Sequence, residues 1–121
     1  METAIKSIRP FIGAVNFGVS RQFYADLGFQ EVTLSAVLSV FEAGDFAFYL
    51  QDAYVAEWVA NTMVFLEVAN VDEYWVQLTA LNLSATYPTV RLVPVKSFDW
   101  GKECFVHDPS GVLWHIGEFA R

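Results

Sequence analysis

Two apolar periods alternate along the chain, and together they predict its elements. After Asn16, a residue suited to accept the first free N–H groups of a helix, Val19, Phe23, Tyr24 and Leu27 recur at helical spacing up to Gly28. A second stripe, Val71, Tyr74, Trp75, Leu78 and Leu81, follows Asn70, with Glu73 three positions after the cap. Between and around these helices the pattern is that of strands. Lys6–Val15 reads as a first strand that Pro10 confines to a sheet edge. Gln30–Leu34, Val37–Phe41 and Phe46–Leu50 follow, the last two joined by Glu42-Ala43-Gly44-Asp45. Gln51–Thr62 is a connector whose Val55 and Trp58 suggest a packed loop or a helical turn. Met63–Val68 is a further strand, and Tyr87–Val95, carrying Pro88 and Pro94, an irregular edge strand or a long excursion. The chain closes on a hairpin: Cys104–Val106 and Val112–Ile116 flank Asp108-Pro109-Ser110-Gly111, a type I turn by its Asp, Pro and Gly positions.

The order strand, helix, three strands occurs twice. An offset of 54 maps Phe11 onto Phe65, Asn16 onto Asn70 and Leu27 onto Leu81, whereas Gly44 and Gly111 are 67 apart. The second copy therefore carries about 13 extra residues between its helix and its last turn, placed at Pro88–Asp99. Neither half can cover its own apolar sheet face, so residues 1–121 form one domain of two βαβββ modules, approximately 5–51 and 62–119. The expected fold is α+β, a curved mixed sheet of eight strands with the helices outside.

Composition changes the picture in three ways. An apolar fraction of 55% with 17% aromatic residues exceeds what a small domain needs, so a generous core or an apolar surface kept for a ligand or a second copy is expected. No apolar run reaches the roughly 20 residues of a membrane span, and Glu2, Lys6 and Arg9 interrupt the start where a leader would be apolar, which predicts a cytoplasmic protein. The single Cys104 excludes an internal disulfide and reads as a buried, inert thiol. Seven basic against fourteen acidic residues give a net charge of −7, which disfavours nucleic acid and membrane surfaces and suits cationic ligands, although acidity also serves solubility.

One string is more specific than composition. Trp100-Gly101-Lys102-Glu103, then Asp108-Pro109-Ser110-Gly111, then His115 four residues on, resembles the C-terminal signature of bleomycin-resistance proteins in the glyoxalase/dioxygenase (vicinal oxygen chelate) superfamily. Phe23-Tyr24 followed by Leu27-Gly28-Phe29 is similar to the superfamily's first helix. The resemblance implies the paired βαβββ fold, and in its metal-dependent members four ligands on the first and last strands of the two repeats. The positions that match are Arg9, Phe48, Met63 and His115, a set that offers no adequate donors for Zn²⁺, Fe²⁺ or Mn²⁺, so no metal and no other cofactor is expected. It further implies a homodimer with ligand crevices at the subunit interface and, in bleomycin-binding members, exchange of the N-terminal strand.

Strand alternation places Arg9, Phe11 and Gly13 on one face, as it does Phe46, Phe48 and Leu50, and Met63, Phe65 and Glu67. Together they would line an aromatic cup or simply form core. Glu67 would then be an acid in an apolar wall, able to hold a cation or act as a base. Trp100 matches a residue that lies at the drug crevice of bleomycin-binding members; packing is its other role. Glu103 is a strand acid. His115 is expected to bond a carboxylate or carbonyl, and His107 with His115 across the turn makes a poor two-histidine site. The expected function is metal-independent binding of a small molecule, bleomycin-type by resemblance, through Arg9, Phe11, Phe48, Met63, Phe65, Glu67, Trp100, Glu103 and His115. The alternatives are a superfamily enzyme of isomerase, lyase or dioxygenase type, and a small-molecule sensor.

Overall fold

A computed structural model describes residues 3–121; Glu2, invoked above against a leader, lies outside the described residues. Two sheets of four strands carry the fold. The first contains β1 (Phe11–Gly13), β2 (Gln30–Ser35), β3 (Leu38–Ala43) and β4 (Phe46–Gln51), ordered β1-β4-β3-β2. The second contains β5 (Met63–Glu67), β6 (Arg91–Phe98), β7 (Gly101–His107) and β8 (Leu113–Phe119), ordered β5-β8-β7-β6. In each, the first strand runs parallel to the last and the others are antiparallel, so the two halves share one topology. Helix α1 (Phe17–Asp26) covers the first sheet and α3 (Val71–Ala80) the second; α2 (Ala56–Ala60) and α4 (Leu83–Thr86) are single turns.

The predicted caps form. The Asn16 side chain accepts from Val19 N–H at 3.1 Å, and that of Asn70 from Glu73 N–H at 3.0 Å. The Asp108 turn closes with a 3.1 Å bond from Gly111 N–H to Asp108 C=O, with Gly111 at φ +101°. The connector holds the helical turn α2, and the expected irregular edge strand is β6, which starts at Arg91 instead of Tyr87 and runs on to Phe98, its register slipping between Val93 and Lys96 around Pro94. The first strand is shorter than expected. Only Phe11–Gly13 pair with β4, because Pro10 has no N–H to extend the ladder, although its carbonyl still accepts from Tyr49 N–H at 2.8 Å.

The register also corrects the placing of the extra residues. The offset of 54 holds through the helices (Phe17 to Val71), becomes 61 at Val32 to Val93, 65 at Val40 to Phe105 and 66 at Tyr49 to His115. The additions thus fall at three places: the α4 segment, the bulged β6–β7 region and one residue in the last hairpin loop. His115 is therefore the counterpart of Tyr49, not of Phe48.

Each sheet has a covered and an open face. The covered faces turn toward each other and share one core, in which Ile12, Phe41, Phe48 and Leu50 of the first sheet join Cys104, Val106, Trp114 and Ile116 of the second. Tyr24 on α1 touches both: its ring meets Phe41, Phe48 and Trp114, and its hydroxyl donates to Asp108 Oδ2 at 2.5 Å while accepting from Trp114 Nε1 at 2.9 Å. Helix α1 therefore packs on the first sheet and is tied to the second half of the chain through the Tyr24 side chain. Asp108 is fully buried, and its Oδ1 accepts from Ser110 and Val112 N–H at 2.8 and 2.9 Å, so the last turn is tied to the first helix. Cys104 is buried as expected, and burial pushes its thiol up to about 11, which leaves it protonated and unreactive.

Candidate functional site

The open face of the second sheet carries most of the chemistry. Alternation and register put Met63, Phe65 and Glu67 of β5 in rows with Leu113, His115 and Gly117 of β8, and these with His107, Phe105 and Glu103 of β7. At one end, Phe98, Gly101 and Phe119 share a row beside Trp100. There the rings cluster: Phe98 stacks on Trp100 at 5.6 Å and 4°, Phe119 lies 5.5 Å from Trp100, and Phe65 is 5.7 Å from Phe119 and 6.1 Å from Trp100. All remain open to solvent, at 44% for Phe98, 37% for Trp100, 45% for Phe65 and 51% for Phe119. Two glycines make this wall possible. A Cβ on Gly117 would lie 2.9 Å from the Phe65 ring, and one on Gly101, at φ +155°, would lie 2.1 Å from the Glu118 carbonyl.

At the centre of the face stands a fixed imidazole. Glu103, 7% exposed, hydrogen-bonds His115 Nδ1, while His115 Nε2 lies 3.4 Å from Met63 Sδ. A carboxylate on Nδ1 favours the tautomer that leaves the Nε2 lone pair toward the open face. Phe105 packs edge-on against the ring at 5.1 Å. The arrangement can accept a hydrogen bond or a proton at Nε2, and it presents apolar, polarizable surface on both sides.

Six of the nine residues expected from sequence, Met63, Phe65, Glu67, Trp100, Glu103 and His115, thus meet on one face. The other three lie off that face, although Phe48 shares a cleft with Phe65 and Glu67. Arg9 is exposed in the segment before β1. Phe11 lies on the open face of the first sheet, stacked at 4.5 Å on Tyr49, its register partner. Phe48 is a correction: the parallel register sets Phe11 opposite Tyr49, so Phe48 points to the covered face and is 4% exposed. Its edge forms the floor of a cleft of about 330 Å³ between the sheets, with Phe29 and Trp114 below and Phe46, Phe65 and Glu67 at the rim. Glu67 is exposed there and is the one charged residue in the otherwise apolar lining of this cleft. His107 and His115 share the open face but face different partners, Leu113 and Phe105. Phe98 and Phe119 were not expected; the available signal was alternation outward from Gly101, which needs the register of three strands to read.

The metal positions implied by the resemblance hold a guanidinium, a thioether, an imidazole and, by register, the Tyr49 phenol in place of Phe48. That set does not suit a hard or borderline divalent ion, and no group of three His, Cys, Asp or Glu side chains able to hold one occurs among the described residues.

The fold has known counterparts. The bleomycin-binding protein from bleomycin-producing Streptomyces verticillus, solved with copper(II)-bleomycin, superposes with a TM-score of 0.81 at 21% identity over 99% of this chain and 100% of that protein. The chain has the bleomycin-resistance fold. A bleomycin resistance determinant encoded on the transposon Tn5 is similar at a TM-score of 0.79 and 20% identity, over 97% of this chain and 100% of that one. Lactoylglutathione lyase from Agrobacterium tumefaciens shares the fold at 0.70 and 17% identity, over 95% of each chain. No family model and no curated protein sequence matches the chain. The expected α+β fold of paired βαβββ units is thus the one found. No helix among the described residues is long and apolar enough to cross a membrane.

Proposed function

We infer that this chain binds and sequesters a bulky, cationic, aromatic small molecule of the bleomycin type in the cytoplasm, without a metal of its own. The exposed wall of Phe65, Phe98, Trp100 and Phe119 carries the inference: four rings open to solvent beside the Glu67 carboxylate suit a planar cation better than they suit water. A second copy would close the crevice. Both sheets leave apolar open faces, with Phe11 at 55% and Val32 at 46% on the first, and a two-fold axis can lay one face over the other. Such an interface should bury at least about 2,000 Å² in total.

Trp100 fluorescence and thermal unfolding in the presence of bleomycin test the reading. Ligand at about 100 times Kd should add about 2.7 kcal/mol of stability and quench Trp100. An unchanged melting temperature at millimolar bleomycin would remove the bleomycin-type assignment, and a monomer in sedimentation at micromolar concentration would remove the dimer.

The His115–Glu103 pair favours a second reading, an enzyme that moves a proton through His115 Nε2. Turnover of a hydroxy-carbonyl or thioester substrate that His115→Ala abolishes, with Trp100→Ala leaving kcat intact, would establish it in place of sequestration.

A further inference from the structure

We propose that the pocket bounded by Arg91, His107, Tyr54 and Asn61, at the end of the open face opposite Trp100, is a binding site for a single carboxylate group at the far end of an elongated ligand. The pocket is an open groove of about 370 Å³ between the second sheet and the segment around α2, with Ala60, Met63, Ser110, Gly111 and Leu113 also in its walls. Arg91 and His107 face each other directly across the β6–β7 ladder, so both side chains project from the same face into it.

Three features point to an anion. The lining contains no Asp or Glu, in a chain that has fourteen acidic and seven basic residues. Arg91 forms no ion pair or side-chain hydrogen bond among the described residues, whereas Arg21 and Lys102 are paired with Glu31 and Asp72. The His107 ring and the Tyr54 hydroxyl likewise have no hydrogen-bond partner among the described residues, so the pocket presents one fixed cation and free N–H and O–H donors. Asn61 spends one N–H on the Glu57 carbonyl at 2.6 Å and keeps the other. Burial first, then the Arg91 charge, lowers the His107 pKa, with Asp108 opposing, and the imidazole is a neutral donor at neutral pH.

One guanidinium matches one negative charge. A guanidinium fork takes a carboxylate in two parallel bonds, and a dianion would meet the chain's net charge of −7, and Asp108 behind the turn, with only Arg91 to compensate. Leu113 and Phe119 mark the two ends of the face on β8, six residues apart, which at about 3.3 Å per residue separates the pocket from the aromatic wall by roughly 20 Å. The length of the ligand rests on the proposed function; the carboxylate pocket does not.

Proton NMR of the intact 121-residue protein with benzoate as the probe tests it. Benzoate should shift the His107 ring protons and the Leu113 amide saturably, benzamide should shift neither, and phenyl phosphate should bind more weakly. Arg91→Gln should lower benzoate affinity at least tenfold, about 1.4 kcal/mol. Arg91 is exposed, so the variant should keep the native spectrum, and Asn61→Leu supplies a second, smaller loss. Trp100→Ala should leave the His107 response unchanged, which separates this pocket from the aromatic wall. Equal binding of benzamide, tighter binding of phenyl phosphate, or unaltered benzoate affinity in Arg91→Gln would overturn the assignment.

Discussion

The two open faces have the same topology and share exposed apolar groups, but only the second sets a histidine at their centre. On the first sheet, Phe11 stacks on Tyr49 and Val32 lies exposed nearby, with Gln30, Glu42 and Gln51 in the flanking rows. On the second, the matching positions hold Phe65 and His115, and the rows beyond add Glu103, Trp100, Arg91 and His107. The covered faces, by contrast, are both apolar and meet in one core. The two halves thus agree where the core requires it and differ on their open faces, because a buried position must fill space while an exposed one need not. The hairpin loops differ in the same sense. Gly44 and Asp45 link Ala43 directly to Phe46, whereas the longer loop from Asp108 to Val112 turns a carboxylate into the core.

Substitutions at paired positions test this contrast, and the largest effect belongs to the core. Phe48→Ala should cost about 3–5 kcal/mol in urea unfolding, while Phe46→Ala, two residues away and 79% exposed, should stay within about 0.5 kcal/mol. Similar costs would mean that β4 has slipped register by one residue, with Phe46 and Phe48 exchanging faces with Tyr49.

The loops come next. Asp108→Ala strips an acceptor from Tyr24 O–H and from the Ser110 and Val112 N–H groups, so about 2–4 kcal/mol should be lost. Asp45→Ala in the shorter loop should cost less than about 0.5 kcal/mol, and equal losses would deny Asp108 its tie to α1.

On the open faces the effect moves from stability to binding. Trp100→Ala should weaken binding of a planar cation about tenfold, or 1.4 kcal/mol, by calorimetry. Phe11→Ala, on the partner face, should weaken it less if a second copy closes the crevice; a reversed order would shift the principal wall to the first sheet.

The smallest effect is one of pH. Because burial lowers the His107 pKa in the folded chain, the unfolded chain binds more protons once the pH falls to the ordinary histidine range, and stability should drop as pH falls through that range. His107→Asn should flatten that part of the profile. A steeper loss in the variant would place the titration elsewhere.

What the chain states locally, it states reliably. Asn16 and Asn70 cap, Gly28 and Gly111 take positive φ, and both helical stripes and most strands follow from periods of 3.6 and 2. These depend on neighbours within one turn, so no distant contact can revise them much. The two-module fold was legible for the same reason, since an offset repeats local signals. Three outcomes needed the whole structure. The face of Phe48 depends on which residue of β1 lies opposite which residue of β4, and a one-residue error in loop length reverses it. The aromatic wall requires Phe98, Gly101 and Phe119 to fall in one row across three strands, a register set by a bulge at Pro94 and a tight turn at Trp100. The Arg91 pocket joins β6 to a connector some thirty residues earlier in the chain, through a contact to which neither segment's own pattern refers. Position along a strand is written in sequence; which strand lies opposite, and in what register, is decided only when two covered faces bury each other.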